Sequence, residues 1–545
     1  MRLPLTLAAC CFLIASPCHA ADNPPARPNV IVIVADDLGF SDLACYGSEI
    51  ATPNLDKLAA DGVRFTQFYN CARCCPTRAA LLTGLYPHQA GVGHMLESWK
   101  PKSYSTGLGP QCATIAELLH VAGYRNYHVG KWHVGSLGND PKLKLSNHPL
   151  DRGFDRAYGT GGGGNYFAPN PLYLDRKKLE PGDDYYITDA LTDFAVQFLT
   201  EDEKGHKTEP FFLHLCYTAP HFPLQAKPAD IAKYQGQYRE GWDKLREQRF
   251  ARQKALGIMP ASAELSPRDP EARAWAEVPQ AERGEWDQRM AVYAAMIDCM
   301  DQGIGKVLQA VKKLGVEKNT LVLFFSDNGA SAESLDSWPN RARGHKPGSV
   351  IGTRESHRCL EVGWANAANT PFREHKMWIQ EGGIATPLIA RWPAGIKSRG
   401  TINPAVGHVI DLMPTCLELA KFIYPANFHD RPLTPLEGKS LVPVLRGEPP
   451  TLRILAWEHE GNRGLRVGNW KVVGSYEKPW ELYDLTTDRS ECHNQSEDQP
   501  GRLKALVAEW QRWADRVGVV SWEKLPGASY KPSIGYRKKS ERLDR

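Results

Sequence analysis

Two acidic pairs and one cysteine-bearing turn are the residues of this chain best suited to chemistry. Asp36-Asp37 follows the run Asn29-Val30-Ile31-Val32-Ile33-Val34, and Asp327-Asn328 follows Thr320-Leu321-Val322-Leu323-Phe324-Phe325. Both runs have the composition of strands buried on both faces. In a parallel sheet, ligands gather outside the carboxyl ends of the strands, so the two pairs can meet in one place. Four oxygen donors with three formal negative charges suit a hard cation, Ca²⁺ or Mg²⁺, better than zinc. Either pair alone could equally cap a following turn or helix. Their equivalent positions favour the metal.

The cysteine turn is Cys74-Cys75-Pro76-Thr77-Arg78-Ala79-Ala80-Leu81-Leu82-Thr83-Gly84. Pro76 fits the first turn of a helix, where its missing N–H costs nothing, and Gly84 fits the stop. Cys74 then sits at a helix N-terminus, where free backbone N–H groups favour an anion. Cys71-Ala72-Arg73-Cys74 is also a Cys-x-x-Cys, which could serve as a redox pair or half a zinc site. Zinc needs a second ligand pair at suitable spacing, and the sequence offers none. Redox chemistry leaves the acidic pairs unexplained.

The elements that must position these residues alternate between short apolar runs and amphipathic stretches from Pro28 to about Lys421. Thr114 to Ala122 reads as a helix, Tyr127-His128-Val129 as a strand, and Pro210-Phe211-Phe212-Leu213-His214-Leu215 as another. Val292, Met296, Met300, Ile304, Val307 and Val311 recur at helical spacing between Met290 and Leu314. The succession predicts an α/β domain with a large, mostly parallel sheet flanked by helices. At 545 residues the chain exceeds a usual single domain. We expect a main domain over 21–423, with a charged, proline-broken surface insertion at about 227–288 carrying a helix near Trp242 to Ala255. A smaller α+β unit over 424–545 follows, with strands at 464–467, 470–473 and 480–483, a closing helix around Leu503 to Trp513, and a basic tail.

Arg2, the apolar stretch Leu3 to Ala15 and the small residue Ala20 read as a secretory signal over 1–20, which predicts an exported protein, periplasmic or secreted. No other segment supplies the roughly 20 apolar residues of a membrane span. A net charge of +4 without a long basic run before Arg537-Lys538-Lys539 argues against nucleic acid as a partner. Ten of the 13 cysteines remain after the signal, at spacings from which no pairing can be read.

Cys-x-Pro-x-Arg followed by Ala-Ala-Leu-Leu-Thr-Gly resembles the signature of type I sulfatases. The resemblance continues through Gly130-Lys131-Trp132-His133, Ala219-Pro220-His221, Ser326-Asp327-Asn328-Gly329, and Lys376 five residues before Glu381-Gly382-Gly383. The arrangement looks closest to bacterial arylsulfatases, including Trp457-Glu458-His459-Glu460-Gly461-Asn462-Arg463. Cys75 stands where many members have serine. The resemblance implies an alkaline-phosphatase-like fold and hydrolysis of aryl or carbohydrate sulfates by a formylglycine made from Cys74, which requires a formylglycine-generating maturation enzyme as partner. It implies one Ca²⁺, with Mg²⁺ the less favoured ion, held by Asp36, Asp37, Asp327, Asn328 and the modified Cys74. Hydrated formylglycine would attack sulfur with one hydroxyl and release sulfate through the other. Lys131 and Lys376 would bind sulfate oxygens, Arg78 would orient the diol, His133 would be the base and His221 the acid for the leaving oxygen. Both histidines follow strand candidates on the side where the metal ligands gather; His128, His214 and His375 have no such argument. The rivals are a phosphoester or phosphonate hydrolase of the same superfamily and an inactive binder of sulfated glycans.

Overall fold

A computed structural model describes residues 27–96, 99, 101–137, 147–201, 209–334 and 346–526. The signal expected at 1–20 and the basic tail lie outside them. Ten strands form one sheet: β1 (Asn29–Asp36), β2 (Val63–Tyr69), β3 (Arg125–Lys131), β4 (Arg156–Thr160), β5 (Leu172–Leu174), β6 (Lys177–Leu179), β7 (Phe211–Pro220), β8 (Thr320–Ser326), β9 (Ala385–Arg391) and β10 (Thr401–His408). Their order is β10-β2-β9-β8-β1-β7-β3-β4-β5-β6. The central strands β8, β1, β7, β3 and β4 are parallel. Every residue of β1, β7 and β8 is buried, as their continuous apolar runs require.

Strand β9 runs against both of its neighbours, β8 and β2. That reversal returns β2 to the direction of β1. One edge of the sheet therefore collects the carboxyl ends of β1, β2, β3, β7 and β8 together with the amino end of β9.

Helices cover the sheet. The expected helix at Ile115–Val121 is opened by a capping box in which Thr114 accepts from the Glu117 N–H. The helix expected from Met290 begins ten residues earlier, as Gln280–Lys313. Its first turns, Gln280 to Arg289, are charged or polar except for Ala281, Gly284 and Trp286, so periodicity could not reveal them. The segment 227–288, expected at the surface, buries part of its length. Its helix Gly241–Ala255 buries Trp242, Leu245 and Arg249. Trp242 packs edge-on against Trp275, Trp286 and Trp364, and Arg249 pairs with Asp42 at 2.6 Å and Glu49 at 2.9 Å. A few large aromatics and two buried arginines, Arg246 and Arg249, do the packing here, and average polarity hides them.

In the carboxyl-terminal part, a short ladder pairs β11 (Asn427–Phe428) with β12 (Arg431–Pro432). A four-stranded antiparallel sheet follows, β13 (Ile454–His459), β14 (Asn462–Val467), β15 (Trp470–Gly474) and β16 (Glu481–Asp484). The helix Pro500–Val517 packs on it through Trp510, whose indole donates to the Trp457 carbonyl, while Trp513 packs edge-on against Tyr86 and His88.

Candidate functional site

Asp36 ends β1, and Asp37 turns the chain with φ 66°, a left-handed conformation that a non-glycine residue adopts at a cost. Asp327 and Asn328 follow β8 directly. The Asn328 amide donates to Asp37 Oδ1 at 2.6 Å, and the Asp37 N–H approaches Asp327 Oδ1 at 3.4 Å. All four side chains are buried. Asp36 Oδ1 and Asn328 Oδ1 have no hydrogen-bond partner among the described residues. Buried acceptors left unpaired are costly, and two such oxygens in one knot of carboxylates fit a bound cation.

Cys74 opens the helix Cys74–Thr83, with Arg73 extended as N-cap and Gly84 left-handed at the C-cap. The turn before it is fixed locally: Asn70 Oδ1 accepts from the Ala72 N–H and Thr77 Oγ from the Cys71 N–H, each at 2.9 Å. Arg78, one turn after Cys74, shares its helix face. Its Nε donates to Asp327 Oδ2 at 2.9 Å and its Nη1 to the Lys131 carbonyl at 2.8 Å. A hydrogen bond from Cys75 holds the Cys74 thiol well below its ordinary range, and the Lys131 and His133 charges add to it against the opposing effect of burial.

Lys131 ends β3 with its Nζ 2.7 Å from Asp36 Oδ2. Gly130 before it has φ 120°, and a Cβ there would lie 1.8 Å from the Cys216 carbonyl of β7, so only glycine lets the two strands close. His133 and His221 follow β3 and β7. His133 lies beside Cys74, and His221 Nε2 is 3.6 Å from Asp37 Oδ2. Burial pushes the pKa of both imidazoles down. Lys376 Nζ sits 2.9 Å from Asp37 Oδ1 and 3.1 Å from Glu333 Oε2. The turn carrying Lys376 wraps over Gly382 and Gly383, where a Cβ would strike the carbonyls of Glu374, Arg373 and Trp378. Burial pushes the Asp36 carboxyl up, but Lys131, His221 and Arg78 outweigh it and hold it below the usual range. Asp327 is pushed well above that range by burial and by the Asp36 charge.

All ten residues singled out in the sequence thus lie in one knot. Glu333 was not among them; it belongs to an irregular loop, and only its pairing with Lys376 reveals it. Nor was Glu460, which pairs with Arg73 at 3.0 Å across 387 residues of sequence. His128 and His214 lie inside the sheet, their Nδ1 atoms 3.2 Å apart, with Cys216 Sγ 3.1 Å from His214 Nε2. The ten cysteines of the described residues are free thiols, so Cys71 and Cys74 form no disulfide.

Comparison with known proteins now becomes informative. The sulfatase family model matches residues 28–422, and a model for the carboxyl-terminal part of N-sulphoglucosamine sulphohydrolase matches 374–511. An uncharacterised sulfatase of Schizosaccharomyces pombe is 35% identical over 540 residues, spanning 91% of this chain and 95% of the relative. The arylsulfatase of Klebsiella aerogenes is 34% identical, spanning 80% of this chain and 95% of the relative. The solved structure of Ps i-CgsB in complex with k-i-k-neocarrahexaose is 29% identical, with a TM-score of 0.64 over 90% of this chain and 93% of that one. The large mixed sheet with its antiparallel companion is the alkaline-phosphatase-like fold of such neighbours, and the family generally uses a metal ion. No helix among the described residues is long and apolar enough to cross a membrane. The chain belongs to the sulfatase family and is a hydrolase of sulfate esters.

Proposed function

We propose that this enzyme cleaves an aryl or carbohydrate sulfate to the alcohol and inorganic sulfate, using a formylglycine derived from Cys74 and one Ca²⁺. The observation that carries the proposal is the pair of unpartnered buried oxygens, Asp36 Oδ1 and Asn328 Oδ1, in the same knot as Cys74. Asp36, Asp37, Asp327 and Asn328 would hold the ion, with residue 74 completing the set. When bound, the ion would supply positive charge that eases loss of the proton from the hydroxyl at residue 74 and polarises the sulfate ester.

The chain's own residues do the rest. Lys131 and Lys376, each already against an aspartate, supply positive charge for sulfate oxygens as the ester bond breaks. Arg78, locked between Asp327 and the Lys131 carbonyl, fixes the orientation of residue 74. His221 donates a proton to the leaving alcohol oxygen. His133, beside residue 74, takes the proton whose loss releases sulfate. The apolar run Leu3 to Ala15 ending near Ala20 supports export to the periplasm or beyond, and conversion of Cys74 requires a maturation enzyme as partner.

Mass spectrometry of the peptide containing residue 74, from protein made in its native host, tests the nucleophile: an aldehyde mass supports it, and only intact thiol overturns it. Paired assays on one aryl sulfate and its aryl phosphate test the reaction. Faster phosphate turnover would sink the sulfatase reading.

A further inference from the structure

Cys75 neighbours the reacting position, yet the proposed chemistry has no use for it. Its sulfur, the sulfur of Cys74 and a ring nitrogen of His133 lie within 4.8 Å of one another. His133 Nδ1 is buried without a hydrogen-bond partner among the described residues. Two sulfurs and an imidazole are soft donors. Zinc binds them at about 2.3 Å (sulfur) and 2.0–2.1 Å (nitrogen), which in a tetrahedron sets the donors roughly 3.5–3.8 Å apart. Modest side-chain rotation is enough to close that set. The acidic knot beside it offers hard oxygens, which suit calcium. One pocket thus contains two donor sets of opposite softness, and residue 74 decides between them. As a thiol it completes the soft set; once converted, it leaves Cys75 and His133 as an incomplete pair.

We propose that the chain with an unconverted Cys74 binds one Zn²⁺ through Cys74, Cys75 and His133, leaving the fourth position to solvent. Both sulfurs bind as thiolates, and any thiol protons pass to solvent. The His128–His214–Cys216 group does not compete, because His214 turns a different nitrogen to each partner. That is a hydrogen-bonded chain, whereas a metal cage needs donors aimed at one point. The inference concerns the thiol form and stands whether or not the converted enzyme works as proposed.

The test uses full-length protein verified by mass to have the thiol at position 74, stripped with chelator and titrated with Co²⁺, then Zn²⁺. One equivalent of cobalt with a sulfur-to-cobalt charge-transfer band, displaced by zinc, is expected. C75S should lose about half the band and bind zinc at least roughly tenfold more weakly; H133Q should keep the band and bind zinc at least roughly tenfold more weakly, while C216S binds like the parent. Melting curves establish that each variant is folded. If C75S does not fold, alkylation of the parent replaces it: zinc should protect Cys74 and Cys75 from iodoacetamide. Absence of the sulfur band, parental affinity in folded C75S, loss in C216S, or equal alkylation with and without zinc each overturns the site.

Discussion

Lys376 and Glu381 stand five residues apart, and each anchors a knot of buried charge. Around Glu381, Lys471 Nζ lies 2.9 Å from Glu381 Oε1 and 2.7 Å from Glu491 Oε1, and Arg489 Nη2 is 3.0 Å from Glu381 Oε2. The Tyr69 hydroxyl donates to that same Oε2 at 2.9 Å and accepts from Arg466 at 2.5 Å. Burial raises the Glu381 carboxyl, but Lys471, Arg489 and Arg466 outweigh it and bring it from 4.5 down to about 2. Around Lys376 the balance differs. Four carboxylates (Asp36, Asp37, Asp327, Glu333) meet three cations (Lys131, Lys376, Arg78), and Asp327 is pushed up rather than down. The first knot is closed in that its two carboxylates, Glu381 and Glu491, meet three cations, Lys471, Arg489 and Arg466; it joins β2, β15 and the turn before β9. The second is short of positive charge, as a site awaiting a cation must be.

The sharpest way to break this comparison is to neutralise one carboxylate in each knot. Asp327→Asn should cut kcat/KM by about 10⁴-fold or more, on the scale of losing a nucleophile's activating group. Its stability in chelator should fall by less than that of Glu381→Gln, because relief of the crowding among four carboxylates offsets the loss of the partner of Arg78. Glu381→Gln should instead cost about 3–5 kcal/mol in urea unfolding, since it strands buried cations. The pH dependence has a definite sign. The Glu381 carboxyl is lowered, so its contribution is present above about pH 4.5 and is lost as pH falls toward 2. Burial raises Glu491 in the same knot and works the other way. The difference between parent and Glu381→Gln isolates the Glu381 share. Equal stability losses in the two variants would erase the distinction between the knots.

The sequence and the knots were not equally legible to each other. Asp36, Asp37, Asp327 and Asn328 stood out because each pair ends an apolar run that is a strand by composition. Lys376 had only motif spacing behind it, since it precedes the amino end of β9, whose antiparallel course no local pattern announces. The run Ala385-Thr386-Pro387-Leu388 contains a proline, and β10 begins Thr401-Ile402-Asn403-Pro404; neither reads as a sheet strand. The Glu381 knot was invisible: Glu381, Arg466, Lys471 and Arg489 are ordinary surface residue types until the two sheets meet. Apolar periodicity reports burial by hydrophobes and says nothing about burial by paired charge.

Metal addition sharpens the contrast from the other side. Chelator-treated parent should gain about 2.7 kcal/mol when Ca²⁺ reaches a hundred times its dissociation constant, and Asp327→Asn should gain far less at the same concentration. Glu381→Gln should gain as much as the parent, because its defect lies outside the cation's donor set. Calorimetric melting with and without chelator reads all three.

The smallest effect belongs to Tyr69. Tyr69→Phe keeps the ring that packs against Trp457 at 5.5 Å and removes one hydroxyl that both donates to Glu381 and accepts from Arg466. Glu381 retains Lys471 and Arg489, and Arg466 retains Gln67 Oε1 and the Gly468 carbonyl. No charge is stranded, so the cost should be about 1–3 kcal/mol, that of a hydrogen bond to charged groups. The kcat/KM on an aryl sulfate should stay within a factor of about two to three, because a closed knot passes little to its neighbour once its pairs survive. A tenfold fall in kcat/KM with normal stability would mean that the Glu381 knot sets the position of Lys376 through the four residues between them, and the two knots would have to be treated as one.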